Sequence, residues 1–195
     1  MSDTGAKDRL KEILPNIPDE DLELLAGICA SMTFKDKEVI LKSGNRLRNV
    51  FLILEGAARG FIVDSEGEEK TILLRGKGIF VADASALFLD QPQKLEIVAI
   101  GPSEILMFHF KDFEQLALTN QNILSVYMNS LKEAILRLSY RVESMITMSS
   151  EERYLDLLKL NPSFLEKSYD KYVASFLGIT PVSLSRIKKR LDLSN

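Results

Sequence analysis

Between residues 33 and about 110 the apolar residues recur at every second position, in short runs separated by glycine turns. The runs are "KEVILKSG", "NVFLILEGAARGFIVDSEG", "KTILLRGKGIFVA" and "LEIVAIGPSEILMFHF". Turn signals stand at Ser43-Gly44, Glu55-Gly56, Glu66-Gly67, Gly76 to Gly78 and Gly101-Pro102. Short strands in regular sequence must bury one face and protect their edges, which predicts an antiparallel sheet folded over on itself, a barrel or jelly roll. "DASALFLDQPQ" is too polar and Ala-rich for a strand and reads as a short inserted helix and loop. Ahead of the roll, "DRLKEILPNIPDEDLELLAGIC" predicts short helices broken at Pro15 and Pro18, with Asp19 as a cap and Leu22, Leu24, Leu25 and Ile28 as an apolar face.

From 111 to 147 the period becomes helical, with neither Pro nor Gly to interrupt it. Leu124, Tyr127, Leu131, Ile135, Leu138, Val142 and Met145 step by three or four, a stripe of about three heptads that predicts a coiled-coil-like seam between two copies of the chain. Ile123, Leu136 and Ile146 are expected to pack back onto the roll.

A small helical unit follows. Ser149 or Ser150 caps its first helix, Asn161-Pro162 stops it, and "SFLEKS" follows as another short element. Then comes "YDKYVASFLGITPVSLSRIKKRL", with the anatomy of a helix-turn-helix. Val173, Phe176 and Leu177 form the inner face of one helix, and Gly178 sits at its end, where a left-handed backbone costs glycine little. Ile179 plugs the turn, Thr180 is an N-cap and Pro181 opens the second helix, where its missing N–H is harmless. Leu184, Ile187 and Leu191 bury that helix and leave Val182, Ser183, Ser185, Arg186 and Lys189 outward. The N-terminal half of such a helix enters a DNA major groove. Arg186 can offer a two-pronged donor to guanine, and Val182 a methyl contact to thymine. Thr180, Ser183, Ser185, Lys188 and Lys189 are placed to reach phosphates.

Charge agrees with this polarity. The chain is −3 overall, yet 148–195 holds 8 basic and 6 acidic residues, a basic end on an acidic body. Cys29 is the only cysteine, so an internal disulfide or a cysteine-ligated cluster is not expected. His109 is the only histidine, which argues against most imidazole-rich metal sites, a Ser-His-Asp triad or a metal-dependent enzyme on a cupin-like roll. We expect neither catalytic residues, nor a metal, nor a resident cofactor. No apolar run reaches the roughly 20 residues of a membrane span, and the start lacks a basic-then-apolar leader, so a cytoplasmic protein is expected.

The order of parts, "LKSGNRLRNVFLILEGAARGF" in the roll and "LGITPVSLSRIKKRL" in the hairpin, resembles the Crp/Fnr family of transcription regulators. The resemblance runs from about Leu22 to Leu191. It implies an α+β chain: an antiparallel β-roll (double-stranded β-helix, cyclic nucleotide-binding-like) over 1–112, a long dimerisation helix over 113–147, and a helix-turn-helix domain over 148–195. The sequence stops at Asn195, so the usual wing is expected to be missing. The partners implied are a homodimer, a two-fold symmetric double-stranded DNA operator and, as a further candidate, RNA polymerase; a membrane is not among them.

The resemblance also places a nucleotide pocket at "FVADASALFLDQPQKLEIVAI". Ala82 stands where the family has Gly, Asp83 replaces the ribose-binding Glu, Lys94 the phosphate-binding Arg, and Leu95 the neighbouring hydroxyl residue. Phe80 and Ser85 flank these positions, and Leu138-Ser139 falls where the best-known member has two hydroxyl residues near the base. Lys lacks Arg's bidentate fork, and losing a hydrogen bond to a charged oxygen costs about 1.5–3 kcal/mol. A degenerate pocket that does not answer to cyclic AMP is expected, with a small-molecule effector of unknown identity left open. The competing reading is a ligand-sensing or protein-interaction module with a vestigial, non-specific DNA hairpin.

Overall fold

The structure is a computed structural model and describes residues 4–160 and 169–191. Two N-terminal helices, α1 (Thr4–Ile13) and α2 (Asp19–Gly27), lead into six strands: β1 (Cys29–Phe34), β2 (Val39–Leu41), β3 (Asn49–Val63), β4 (Glu69–Gly76), β5 (Phe80–Val81) and β6 (Glu96–His109). Helix α3 (Ala84–Leu89) is inserted between β5 and β6, as "DASALFLDQPQ" predicts. Then come α4 (Phe110–Thr119), α5 (Gln121–Thr147), α6 (Ser150–Leu160), α7 (Asp170–Leu177) and α8 (Pro181–Arg190). Asn161-Pro162 and "SFLEKS" lie outside the described residues.

The sheet is antiparallel and jelly-roll-like. Its path is β1-β6-β3-β4, with β2 also on β6 and β5 also on β3. The two long strands are the spine, and each changes partner along its length. One half of β6 pairs with β1 and the other with β2, while β3 pairs first with β5 and then with β4. The run "VFLIL" (50–54) is apolar at every position because both faces are covered. Leu52, Leu54, Leu106 and Phe108 pack on Leu10, Leu22, Leu25, Phe113 and Ile123 of the helices. Phe51, Ile53 and Ile105 turn the other way, onto Phe34, Leu41, Ile97 and Ala99 inside the roll. Each such fully buried side chain contributes about 1.5–3 kcal/mol.

Several expected boundaries shift. Glu55-Gly56 and Gly101-Pro102 are not chain reversals but lie within β3 and β6, where the pairing register slips and the strands bend. Gly56 has φ +84°, and a Cβ there would lie 2.3 Å from Ser103 Oγ and 2.6 Å from the Pro102 carbonyl. The first strand begins at Cys29 rather than near 33. Asp19 is the first helical residue of α2 and Pro18 its cap, while Leu24 is exposed.

The expected long helix over 113–147 is two helices, α4 and α5. Asn120 takes the N–H groups of Asn122 and Ile123 as the cap of α5, at 2.9 and 3.0 Å. Buried Asp21 holds this break to α2 by accepting from Asn120 and, at 2.7 Å, from Asn122. A capping asparagine breaks a helical pattern without Pro or Gly. Ile123 is buried as expected, but Leu136 and Ile146 are 69 % and 78 % exposed and do not return to the roll.

At the far end of α5, Met148 is extended, and Ser149 with Glu152 forms a reciprocal capping box that starts α6. In the hairpin, Gly178 has φ +71°, and Thr180 Oγ1 accepts from the Ser183 N–H at 3.1 Å with Pro181 opening α8. Val173, Leu177, Leu184 and Ile187 bury together with Tyr154 of α6.

Gly56→Ala is expected to destabilise the chain by about 3 kcal/mol in urea unfolding, combining left-handed strain with overpacking. Gly67→Ala, with φ +83° but open space around it, should cost only about 1 kcal/mol.

Candidate functional site

A cavity of about 930 Å³ opens between β4, the α3 loop, α5 and the C-terminal helices. Ala82, Asp83, Ser85, Lys94, Leu95 and Leu138 line it, so six of the eight expected pocket positions come together. Phe80 instead lies in a ring cluster with Phe108 and Phe113, at centroid distances of 6.3 and 5.9 Å. Ser139 is exposed and is not part of the lining.

Asp83 does not project freely into this space. It caps α3, and its Oδ1 accepts from the N–H groups of Ser85 and Ala86 at 2.9 and 3.3 Å. Its Oδ2 accepts from the N–H groups of Lys94 and Leu95 at 2.7 and 2.8 Å. A helix start facing a loop of N–H groups is a natural cradle for an anion. Here the chain's own carboxylate fills it. The Lys94 side chain is exposed, and Leu95 is buried in the core of the roll.

The remaining wall is cationic, a feature the sequence reading missed. Arg75, Lys77, Arg137, Arg141 and Arg153 all line the cavity. Lys77 pairs with Glu55 at 2.5 Å and Arg137 with Glu133 at 2.6 Å. Asp156, the other lining acid, is hydrogen-bonded by Tyr140, whose phenol this contact and burial push up to about 12. Among the described residues Arg75 donates only to the Leu74 carbonyl, at 3.0 Å. Burial, reinforced by the charges of Arg137 and Arg141 and partly offset by Glu133, pulls its guanidinium down to about 10. Burial likewise lowers Arg141, with Arg153 adding repulsion.

The cavity's far wall belongs to the hairpin, because α7 leans on the roll. Tyr172 is buried among Ala57, Leu74 and Ile100. Arg59, itself buried, lies 4.1 Å from the Tyr172 ring and 4.4 Å from that of Phe61, and donates to Thr71 and Glu69. Ser175 Oγ receives the Thr71 N–H at 2.9 Å, and Tyr169 donates to Asp36 at 2.5 Å. Arg141 of α5 stacks on Phe176, 4.0 Å from the ring centre.

On α8, Val182 is 62 % exposed, and Ser185, Arg186 and Lys189 are exposed beside it. Ser183 is half-buried and shares a 3.0 Å hydrogen bond with Thr180. Lys188 is bonded to Asp170 and Arg190 to Glu151. Along α5, Leu124, Tyr127 and Leu131 are half-buried, whereas Ile135 and Leu138 are 63 % and 62 % exposed and Val142 and Met145 are also open. His109 ends β6, exposed, with Nδ1 3.0 Å from Asn49 Oδ1. No described helix is long and apolar enough to cross a membrane.

Comparison with known proteins matches residues 31–120 to the cyclic nucleotide-binding domain family. No curated protein matches the chain. Among solved structures, FixK2 from Bradyrhizobium japonicum is similar with a TM-score of 0.72, 14 % identity and 85 % of each chain covered. The c-di-GMP-responsive global regulator CLP from Xanthomonas campestris has a TM-score of 0.72 at 13 % identity, covering 90 % of this chain and 92 % of its own. A CooA mutant from Carboxydothermus hydrogenoformans has a TM-score of 0.68 at 14 % identity, covering 93 % and 83 %. Residues 31–120 thus match the cyclic nucleotide-binding domain family, and the fold of the chain is that of FixK2, CLP and CooA.

Proposed function

We propose that the chain is a dimeric, sequence-specific DNA-binding transcription regulator of the Crp/Fnr type, whose roll answers to a small molecule other than cyclic AMP. The observation that carries this reading is the hairpin: a capped α8 with Leu184 and Ile187 buried and Val182, Ser185, Arg186 and Lys189 turned outward. Such a helix offers Arg186 and Val182 to base edges and Ser185 and Lys189 to phosphates. Thr180, Ser183 and Lys188 serve less directly, since local hydrogen bonds or an ion pair already engage them.

The exposed stripe Ile135, Leu138, Val142 and Met145 supplies the second half of the reading. Burying it against a partner's α5 forms a two-fold seam, continued by Leu124, Tyr127 and Leu131, that sets two α8 helices about one DNA turn apart, roughly 34 Å. A palindromic operator follows, with RNA polymerase as the further partner at a promoter and the cytoplasm as the working compartment. The role is regulatory rather than enzymatic, and a resident metal or cofactor has no part in it.

Cyclic AMP is the wrong ligand for steric and electrostatic reasons. Its phosphate would meet the Asp83 carboxylate in the cradle, and Lys94 offers only a point charge at the rim.

A second reading, a protein-interaction module with a vestigial hairpin, draws on the docking of α7 against its own roll and on the pairing of Lys188 and Arg190. Selection from a random DNA pool separates the two. A palindromic winner, with Arg186→Ala losing sequence preference by about 1–3 kcal/mol, is expected; retention of DNA without enrichment supports the module. Ile135→Glu should shift the dimer to monomer in sedimentation equilibrium while circular dichroism stays unchanged; a monomeric parent protein removes the seam. In calorimetry, cyclic AMP should show no saturable binding below about 1 mM. Micromolar affinity would contradict the filled cradle.

A further inference from the structure

The cavity's cations outnumber its acids in a way the fold itself does not need. Arg137 has Glu133, and Lys77 has Glu55. Among the described residues, Arg75, Arg141 and Arg153 have no carboxylate within ion-pair distance. Their hydrogen bonds go to main-chain oxygens: Arg75 to Leu74, Arg141 to Thr71, and Arg153 to Met148 and Leu177. Arg153 Nε is buried without a hydrogen-bond partner among the described residues. Both lining acids on this side are engaged elsewhere, Asp83 by four N–H groups and Asp156 by Tyr140.

Half-buried guanidinium groups that repel one another are costly in an empty site, and they are the side chains best suited to bidentate oxyanion recognition. We propose that Arg75, Arg137 and Arg141 form an anion subsite that takes an oxyanion group on the effector of this cavity. Of the three guanidiniums only Arg137 has an ion-paired carboxylate, Glu133, which leaves Arg75 and Arg141 for the ligand. The subsite lies on β4 and α5, apart from the cradle that Asp83 occupies. Its ligand sits beside Leu138, on the α5 stripe, and beside Phe176, on which Arg141 stacks. That the ligand is an effector rests on the regulator reading; that the site binds an anion does not.

Pyrophosphate is the probe, titrated calorimetrically into the full chain at constant ionic strength. One saturable site per protomer is expected, weakened at least about tenfold in Arg75→Met and unchanged in Lys42→Ala, an exposed lysine outside the cavity lining. Arg75→Lys, which keeps the charge but not the fork, should fall between parent and Arg75→Met. Thermal unfolding supplies the second readout. Without ligand, Arg75→Met should melt about 2 °C above the parent, because it removes an unpaired, repelled charge. Pyrophosphate should raise the melting temperature of the parent but not of Arg75→Met.

No saturable binding, equal affinity in Arg75→Met, or loss in Lys42→Ala overturns the subsite. A lower melting temperature for ligand-free Arg75→Met also overturns it, since Arg75 is then a structural residue. DNA selection is run separately. Failure there with pyrophosphate binding intact discards the regulator reading and leaves the subsite standing; the opposite pattern does the reverse.

Discussion

Four backbone N–H groups from two separate segments converge on one carboxylate, that of Asp83. Each is a charge-assisted hydrogen bond, worth about 1.5–3 kcal/mol where water is excluded. The carboxylate starts α3 and fixes the residues that lead into β6. The same return segment is bound from its other side, where Gln93 exchanges main-chain hydrogen bonds with Gly44 and Asn45 at 2.8 Å. The mouth of the roll is therefore rigid on this side, and its chemistry is decided: donors that could have gathered a phosphate are spent within the chain. What remains for recognition is the opposite wall, where β4 and α5 bring their guanidiniums together.

That wall is continuous with the hairpin. Helix α7 divides its apolar residues between two bodies. Val173 and Leu177 go to the hairpin's own core, while Tyr172 and Phe176 go to the roll and α5. Arg59 closes the joint as a planar cation held against two rings, a geometry Lys could not reproduce. The roll and the helix that precedes α8 are thereby in direct contact, with no linker between them at this joint.

The repeated parts of the fold were legible in the sequence because they obey local rules. Period-two strands, the Thr180-Pro181 start and the Gly178 end need only neighbouring residues to be recognised. Gly56 and Gly101 were read as turns because a bulge and a turn demand the same left-handed glycine; only the pairing of β3 with β6 distinguishes them. Asn120 was passed over as an ordinary helical residue, since its meaning comes from Asp21, ninety-nine positions away. Six pocket positions were found through resemblance, but the role of Asp83 was not, because a carboxylate bonded to main-chain N–H groups leaves no residue pattern. The guanidinium wall was invisible for a related reason: Arg75 and Arg137 are distant along the chain and look like solvated charges until folding sets them side by side.

Arg153 joins two chain segments at a place where neither has a neighbour to spare. One nitrogen holds the Met148 carbonyl, where α5 ends, and another holds the Leu177 carbonyl, where α7 ends, at 2.6 and 2.9 Å. The last turn of α5, the start of α6 and the end of α7 are consequently bolted into one block. Rotation of the C-terminal helices about Met148 strains the Arg153–Met148 bond at the pivot, while the Arg153–Leu177 bond moves with them and keeps α6 and α7 together. The orientation of α8 against the roll is then fixed within the chain, by Arg153 together with the contacts of Tyr172, Phe176 and Ser175.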